Sequence, residues 1–344
     1  MKKTAIIGQY GEGPAYVTGQ AVKTYCIANW MKQRFGPDNV EIVNTYGWKK
    51  RPLRLFFSLI RAMGHCANAV ILPAQHGVKV FAPLVAGLNR IFRRRIFYVV
   101  IGGWLADTLR ENPRLRRAVA AFDGVCAETE SLAEQLRAAG VPHAWYLPNC
   151  RDSADVPEKA FPAGQPLRIC TYSRVTESKG IEDAVRICKK ANALLGGDIF
   201  RLEVYGMVDD SYREAFEKLC AQEAGVMRYC GIRNADEAAE ALQGQFAMLF
   251  PTYYEGECFA GTVLDAFVSR TPIIVNDWKY NREVIRSGEN GFLYPFRDTD
   301  AAAGQLAALY RDPALYRRIQ EGCARSAQEY STDRVLELLV SQMA

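Results

Sequence analysis

Residues 246–267 read FAMLFPTYYEGECFAGTVLDAF, from Phe246 to Phe267. The apolar run FAMLFPT gives way to a loop of small residues carrying Glu257, and that loop opens onto a helical stretch, about Thr262 to Ser269, carrying Asp265. Strand, loop and helix in this order form the repeating unit of a doubly wound sheet, where ligands meet the carboxyl ends of the strands. A small-residue loop entering a helix presents unpaired backbone N–H groups at the positive end of the helix dipole, which suits a phosphate. Carboxylates beside such a seat are poor phosphate ligands and good acceptors for sugar hydroxyls. Glu257 and Asp265, eight positions apart, therefore point to a ligand that is both sugar and phosphate, a nucleotide sugar.

The same alternation extends in both directions. Upstream the β-type runs are TAIIG (4–8), NVEIVN (39–44), NAVILP (68–73), RIFYVVIG (95–102), GVCAE (124–128) and AWYLPN (144–149). Helical periodicity fills the gaps, as in Gln20 to Phe35 and Ser131 to Ala139, the latter with Ser131 and Glu134 at capping-box spacing. The second half repeats the scheme with LRICTYS (167–173), FRLEVYG (200–206), GVMRYCG (225–231), FAMLFPT (246–252), TPIIVND (271–277) and GFLYP (291–295). Strands alternating with helices predict parallel sheets covered on both faces. At 344 residues the chain exceeds one ordinary core, and the polar stretch with Pro157, Pro162 and Pro166 breaks it in two. The expected plan is an N-terminal domain over 1–150, a linker over 151–166, a second domain over 167–328 and a C-terminal helix over 329–344 set back against the first domain.

Charge divides unevenly along this plan. Residues 1–150 hold 20 Lys and Arg against 9 Asp and Glu, while the remainder hold 23 against 29. The basic runs WKKRPLRLFF (48–57) and NRIFRRRIF (89–97) mix cations with aromatic residues but lie in no DNA- or RNA-binding motif. An anionic lipid surface is the better-matched partner, each nearby Lys or Arg adding about 1 kcal/mol, with a merely solvated basic face as the alternative. No two of the ten cysteines lie closer than ten positions, so neither a CxxC metal site nor a dense disulfide framework is spelled out, and a reducing cytoplasm fits. The longest charge-free apolar run, Ile96 to Ala106, is about half of the roughly 20 residues a membrane span needs, and the apolar residues before Gln9 are too few for a secretory signal.

A second motif supports the nucleotide sugar. Just after LRICTYS, the segment YSRVTESKGIEDA places Arg174 and Lys179 at a strand end of the same domain, where a diphosphate needs cations. Together these residues resemble the retaining glycosyltransferases of family four, whose architecture, GT-B, is α/β: two Rossmann-like doubly wound domains facing a central cleft. The pattern is an acid, seven residues, a second acid and a helix ending before a proline that starts a strand, here Glu257, CFAGTVL, Asp265 and Pro272. Arg174, Lys179 and Gly180 match the family's Arg and Lys-Gly pair, and DWKYNREVI (277–285), GENGFLY and VIGGWL (100–105) are similar to enzymes of bacterial capsular and exopolysaccharide assembly. The resemblance implies that Arg174 and Lys179 hold the diphosphate, that Glu257 takes a sugar hydroxyl and that Asp265 takes the ribose. It implies a donor-binding loop through Cys258, Phe259, Ala260, Gly261 and Thr262, with Gly19 at a helix start approached by the ligand. Asp265 stands where the family usually has Glu, Cys258 and Ala260 where it often has Gly, and Arg270 where a Gly commonly precedes Thr-Pro. Gly102 and Gly103 occupy the place of a frequent His, so acceptor handling is assigned to them and to His76 in PAQHG.

Other signals carry less. Gly8, Gly11 and Gly13 are followed by Pro14 rather than a dinucleotide-binding helix. Asp298-Thr299-Asp300 spells a metal-binding DxD but precedes AAAGQLAAL and reads as a helix cap, so no metal and no cofactor beyond the sugar donor are expected. The sequence is best read as a cytoplasmic glycosyltransferase at the inner face of the membrane, with Glu257, Arg174 and Lys179 as its catalytic residues and a saccharide or lipid-linked acceptor. Two alternatives stay open: a nucleotide-sugar 2-epimerase of the same architecture, which would act without an acceptor, and a non-catalytic partner subunit, which would show no donor-dependent activity.

Overall fold

The computed structural model describes residues 2–11, 18–152, 156–162, 164–234 and 237–343. Gly13, Pro14 and part of the 151–166 stretch lie outside them. The chain divides into two units. The first is Met1–Cys150 with Gly256–Phe259 and Tyr330–Ala344; the second is Arg151–Glu255 with Ala260–Glu329.

In the first unit the strands are β1 (Thr4–Gly8), β2 (Val40–Asn44), β3 (Asn68–Ile71), β4 (Arg95–Val99), β5 (Gly124–Ala127) and β6 (Ala144–Tyr146). Between them run α1 (Gly19–Phe35), α2 (Pro52–His65), α3 (Gln75–Phe92), α4 (Leu105–Glu111), α5 (Pro113–Ala120) and α6 (Glu130–Ala138). The sheet order is β2-β1-β3-β4-β5-β6, every pairing parallel. Connections diverge to opposite sides at β1 and β3, so the loops leaving those two strands frame the crevice of this sheet. Ile6, Val70, Phe97, Val99 and Cys126 form one core with Ile27 and Met31 of α1.

The second unit holds β7 (Leu167–Tyr172), α7 (Ile181–Leu195), β8 (Phe200–Tyr205), α8 (Arg213–Gln222), β9 (Met227–Tyr229), α9 (Ala238–Gln243) and β10 (Ala247–Phe250). It continues with α10 (Gly261–Val268), β11 (Ile273–Asn276), α11 (Asn281–Val284), β12 (Phe292–Tyr294), α12 (Thr299–Arg311) and α13 (Pro313–Glu329). Its strands pair in parallel in the order β9-β8-β7-β10-β11-β12. That is the strand order of a dinucleotide-binding fold, and it puts the crevice beyond the ends of β7 and β10. Strands β10 and β11 are buried along their whole length, as expected of parallel strands covered on both faces.

The last helix, α14 (Thr332–Met343), belongs to the first unit. Val335, Leu336, Leu339 and Met343 join its core, and Trp30 Nε1 donates to Asp333 at 2.5 Å.

Some expectations shift. The helix placed at Ser131 starts earlier: Thr129 is the N-cap, its hydroxyl accepting from Leu132 N at 3.3 Å, because β5 ends at Ala127 and the chain turns at once. The helix expected over Thr262 to Ser269 spans Gly261–Val268, one residue earlier. Arg270 takes a left-handed backbone, φ +51, at the position where glycine is common. That costs about 1 kcal/mol. The stretch read as a linker is tied into the second unit. Lys159 Nζ donates to Leu242 O at 2.9 Å and Thr271 Oγ1 at 2.6 Å, Gln320 grips its backbone, and burial pulls its pKa down to about 8. Asp298 caps α12, accepting from the N–H groups of Asp300 and Ala301, so its carboxylate is engaged by the helix it starts.

Candidate functional site

In the second unit the expected donor residues gather around the crevice at β7 and β10. Arg174, two residues beyond β7, is exposed, and among the described residues it has no ion-pair partner. Its charge reaches Asp209, whose carboxyl is held below its ordinary value mainly by hydrogen bonds from Ser211, with Arg174 adding to the effect. Lys179 closes a 3-10 turn over Glu177–Lys179. Its ammonium lies 5.4 Å from the ring centroid of Phe250 and 5.2 Å from that of Tyr254. Two aromatic faces on a cation restrict its direction and contribute roughly 0.5–1 kcal/mol each where exposed. The loops after β7 and β10 are also joined through their backbones, Tyr253 N donating to Ser178 O at 2.8 Å.

Helix α10 is the element expected to seat the anion. Ala260 precedes it with φ −63 and ψ 131, and neither Ala260 nor Cys258 takes a positive φ, so the absence of glycine at these two positions costs no backbone strain. No side chain caps the start of the helix, and no acid lies in its first turn. An uncapped N-terminus of eight helical residues keeps its dipole and its donors for whatever lies before it. Thr262 is fixed there, its hydroxyl donating to Tyr172 O at 2.6 Å, which binds the first turn of α10 to the end of β7.

Asp265 follows one turn later and is buried. Burial raises its carboxyl above the ordinary value, and Arg151 opposes this, Nε donating to Oδ1 at 2.8 Å. Nearby, burial pushes the Tyr172 phenol up and Asp265 adds to the rise. The second unit thus unites Arg174, Lys179, the start of α10 and a buried acid.

The other expected residues belong to the first unit. Gly19 opens α1 behind the N-cap Thr18. His76 lies exposed in the first turn of α3. These positions follow β1 and β3, the pair of strands that frames this sheet's crevice. Gly256–Phe259, with Glu257 buried among them, is held by this unit at several points. Gly103 N donates to Gly256 O at 3.2 Å, Asn149 Nδ2 donates to Phe259 O at 3.0 Å, and the Phe259 ring meets Tyr330 edge-on at 4.8 Å. Cys258 Sγ lies 3.9 Å from Thr129 Oγ1, and burial pushes its thiol far up, so it is inert as a nucleophile. Gly102 and Gly103, read from sequence as acceptor residues, thus touch the loop that carries Glu257. Gly102 has φ +87, and a Cβ there would stand 2.8 Å from Gly256 O.

Sequence reasoning missed Asn149 and Arg151, both in the stretch between the two sheets. A polar residue and a cation at the foot of a proline-bearing segment announce no partner more than 100 residues away.

Residues 152–325, just over half the chain, match the family described as Glycosyl transferases group 1. EpsD of Bacillus subtilis (strain 168) is 29% identical over 132 residues, 38% of this chain and 33% of EpsD. WcaL of Salmonella typhimurium, whose name assigns it to colanic acid biosynthesis, is 24% identical over 186 residues, 52% of this chain and 45% of WcaL. The chain therefore spans less than half the length of these relatives. Among solved structures, HepE of Anabaena in complex with UDP superimposes with a TM-score of 0.77 at 14% identity, over 99% of each chain. That likeness establishes the fold, GT-B, with its two parallel six-stranded sheets and their helices. By the family match over its second half, the chain belongs to the glycosyl transferases group 1 family.

Proposed function

We propose that the protein transfers a hexosyl group from a nucleoside-diphosphate sugar to a saccharide or lipid-linked saccharide in the assembly of a bacterial surface polysaccharide. One observation carries the donor half of this reading: the topological crevice of the second sheet is the place where Arg174, Lys179, the uncapped start of α10 and the buried Asp265 converge. Arg174 and Lys179 take the diphosphate, Asp265 the ribose, and Glu257 a hydroxyl of the donor sugar. As the bond to the sugar breaks, charge builds on the departing diphosphate. Fixed cations and backbone dipoles aimed at it lower that barrier most when water is excluded. By the family resemblance the transfer retains the anomeric configuration, and it needs neither metal nor cofactor, because Arg174 and Lys179 supply the positive charge a metal would bring. The colanic acid assignment in the name of WcaL supports the polysaccharide context.

The test is thermal-shift binding of the purified protein against UDP, GDP, ADP and CMP. Selective stabilisation by one nucleoside diphosphate is expected. Indifference to all of them would point instead to a partner subunit without a donor site.

The first unit carries the acceptor side in this reading, with the inner face of the membrane as its working surface. Helix α2 supports the surface. Leu55, Leu59, Ala62 and Met63 face the core, while Leu53 is 72% and Phe57 65% exposed, with Phe56 beside them. Lys49, Lys50 and Arg51 precede the helix and Arg54 lies in its first turn, while Arg61 further along pairs with Glu41 at 3.3 Å. A helix apolar on its outward face and preceded by cations suits the interface of an anionic bilayer. The other basic run is occupied differently. Arg94 donates to Met63 O and Gly64 O at the end of α2, and Arg95 to Gln342 O, so these two cations serve packing. Phe57→Asp is therefore expected to weaken cosedimentation with phosphatidylserine-containing vesicles by about 10-fold or more, with neutral vesicles binding neither protein. Equal binding of the two proteins would remove α2 from the surface.

A further inference from the structure

We propose that Arg151 is a positioning residue of the donor site, the cation that keeps the shortened acid Asp265 aimed at the ribose of the donor. This rests on the donor reading given above and adds a residue that the family pattern of acids and strand-end cations does not contain.

Asp265 is one methylene shorter than the glutamate usual at its position, so its carboxylate stays nearer the helix backbone. There it is 8% exposed. A carboxylate so enclosed needs a partner to remain ionised, and an ionised oxygen makes the stronger hydrogen bond to a hydroxyl. Arg151 provides that partner from the other end of the domain sequence. Its Nε–H points along Oδ1 at 2.8 Å, and the two side chains are 15% and 9% exposed, so water screens the pair little. With Oδ1 taken by a planar, oriented donor, the rotation of the carboxylate is fixed.

The guanidinium also sits where its own charge is unwelcome. It lies over Gly261, the first residue of α10, so close that a Cβ there would collide with its terminal nitrogen. A cation at a helix N-terminus opposes the dipole. Asp265 offsets that from within the helix. A side chain at 261 would displace the terminal nitrogen of the guanidinium, so Arg151, Gly261 and Asp265 are packed against one another.

A purely structural ion pair would stabilise the domain without caring what the ligand carries on its ribose. The experiment separates these roles by measuring affinity for UDP, GDP and ADP and for their 2′-deoxy and 3′-deoxy counterparts, in the wild-type protein and in Arg151→Met, with folding checked by thermal unfolding. The wild type is expected to favour the ribonucleotide it selects over at least one deoxy form by about 10-fold or more, the range of a hydrogen bond to a charged group. Arg151→Met is expected to lose that preference while holding the deoxy form within about threefold of wild type. Should Arg151→Met fail to fold, Arg151→Lys carries the test. Its ammonium keeps the charge but not the fixed Nε–H, so the same loss of ribose preference is expected in a folded protein. If either folded variant loses affinity for ribo and deoxy forms by the same factor, or keeps the wild-type preference, the positioning role is overturned and the pair is structural. If the wild type binds none of the nucleotides, the donor reading itself fails.

Discussion

Arg174→Ala is expected to lower kcat/KM by about 10²- to 10³-fold while leaving the thermal unfolding of the protein within about 1–2 °C of wild type. The two halves of this expectation have separate grounds. Arg174 follows β7 at the crevice of the second sheet and is exposed, and among the described residues it makes no ion pair. Its removal strands no buried partner, and surface substitutions of that kind change stability by roughly 0.5 kcal/mol or less. Its charge is therefore available to a ligand, and a cation on a departing diphosphate works hardest when the charge there is greatest, in the transition state. The loss should fall on kcat at least as much as on KM. Initial rates of nucleotide release at varied donor concentration measure both. An unchanged kcat/KM would take Arg174 out of the site, whereas a fall in KM affinity alone would make it a ground-state ligand.

The reach of the sequence follows from the kind of contact involved. Strands such as AMLF in β10 and IIVN in β11 are legible because parallel strands buried on both faces read as unbroken apolar runs. Their ends are not, since an end is set by where the neighbour stops pairing. GVMRYCG contributes only Met227–Tyr229, which pair with Leu202–Val204 of β8. The start of α6 is hidden for a related reason: Thr129 and Ser131 can both cap, and the turn out of β5 decides between them. In the candidate site, Arg174, Lys179 and Asp265 could be proposed from sequence because each lies close in the chain to a strand end, which is a local property. Arg151 is not, because it finds Asp265 across 114 residues, and no spacing rule links two loops whose meeting depends on the whole sheet. The basic runs were legible as charge but not as purpose, because sequence cannot tell an arginine that caps a neighbouring helix from one that faces solvent.

Gly180→Ala is expected to unfold the second unit about 5–15 °C earlier and to abolish donor binding in the protein that remains folded. Gly180 follows Lys179 directly and starts α7 from a left-handed backbone, φ +70 and ψ 34. Alanine there costs roughly 1–2 kcal/mol for the backbone alone. The larger cost is contact, because a Cβ at 180 would overlap the carbonyl oxygen of Pro251, the residue after β10, and backbone cannot swing aside as a side chain can. Relieving that overlap separates the loops after β7 and β10, which Tyr253 N and Ser178 O otherwise join and which hold the Lys179 ammonium against Phe250 and Tyr254. Stability and binding should therefore fall together. Gly196 at the other end of α7 separates the two costs: it has φ +74, yet a Cβ there would meet nothing within 4 Å. Gly196→Ala is expected to lose only the backbone cost, about 2–8 °C, with donor affinity unchanged. Similar losses of melting temperature in the two variants, with binding kept in both, would mean that the left-handed turn alone requires glycine at 180 and that the close approach to Pro251 is slack.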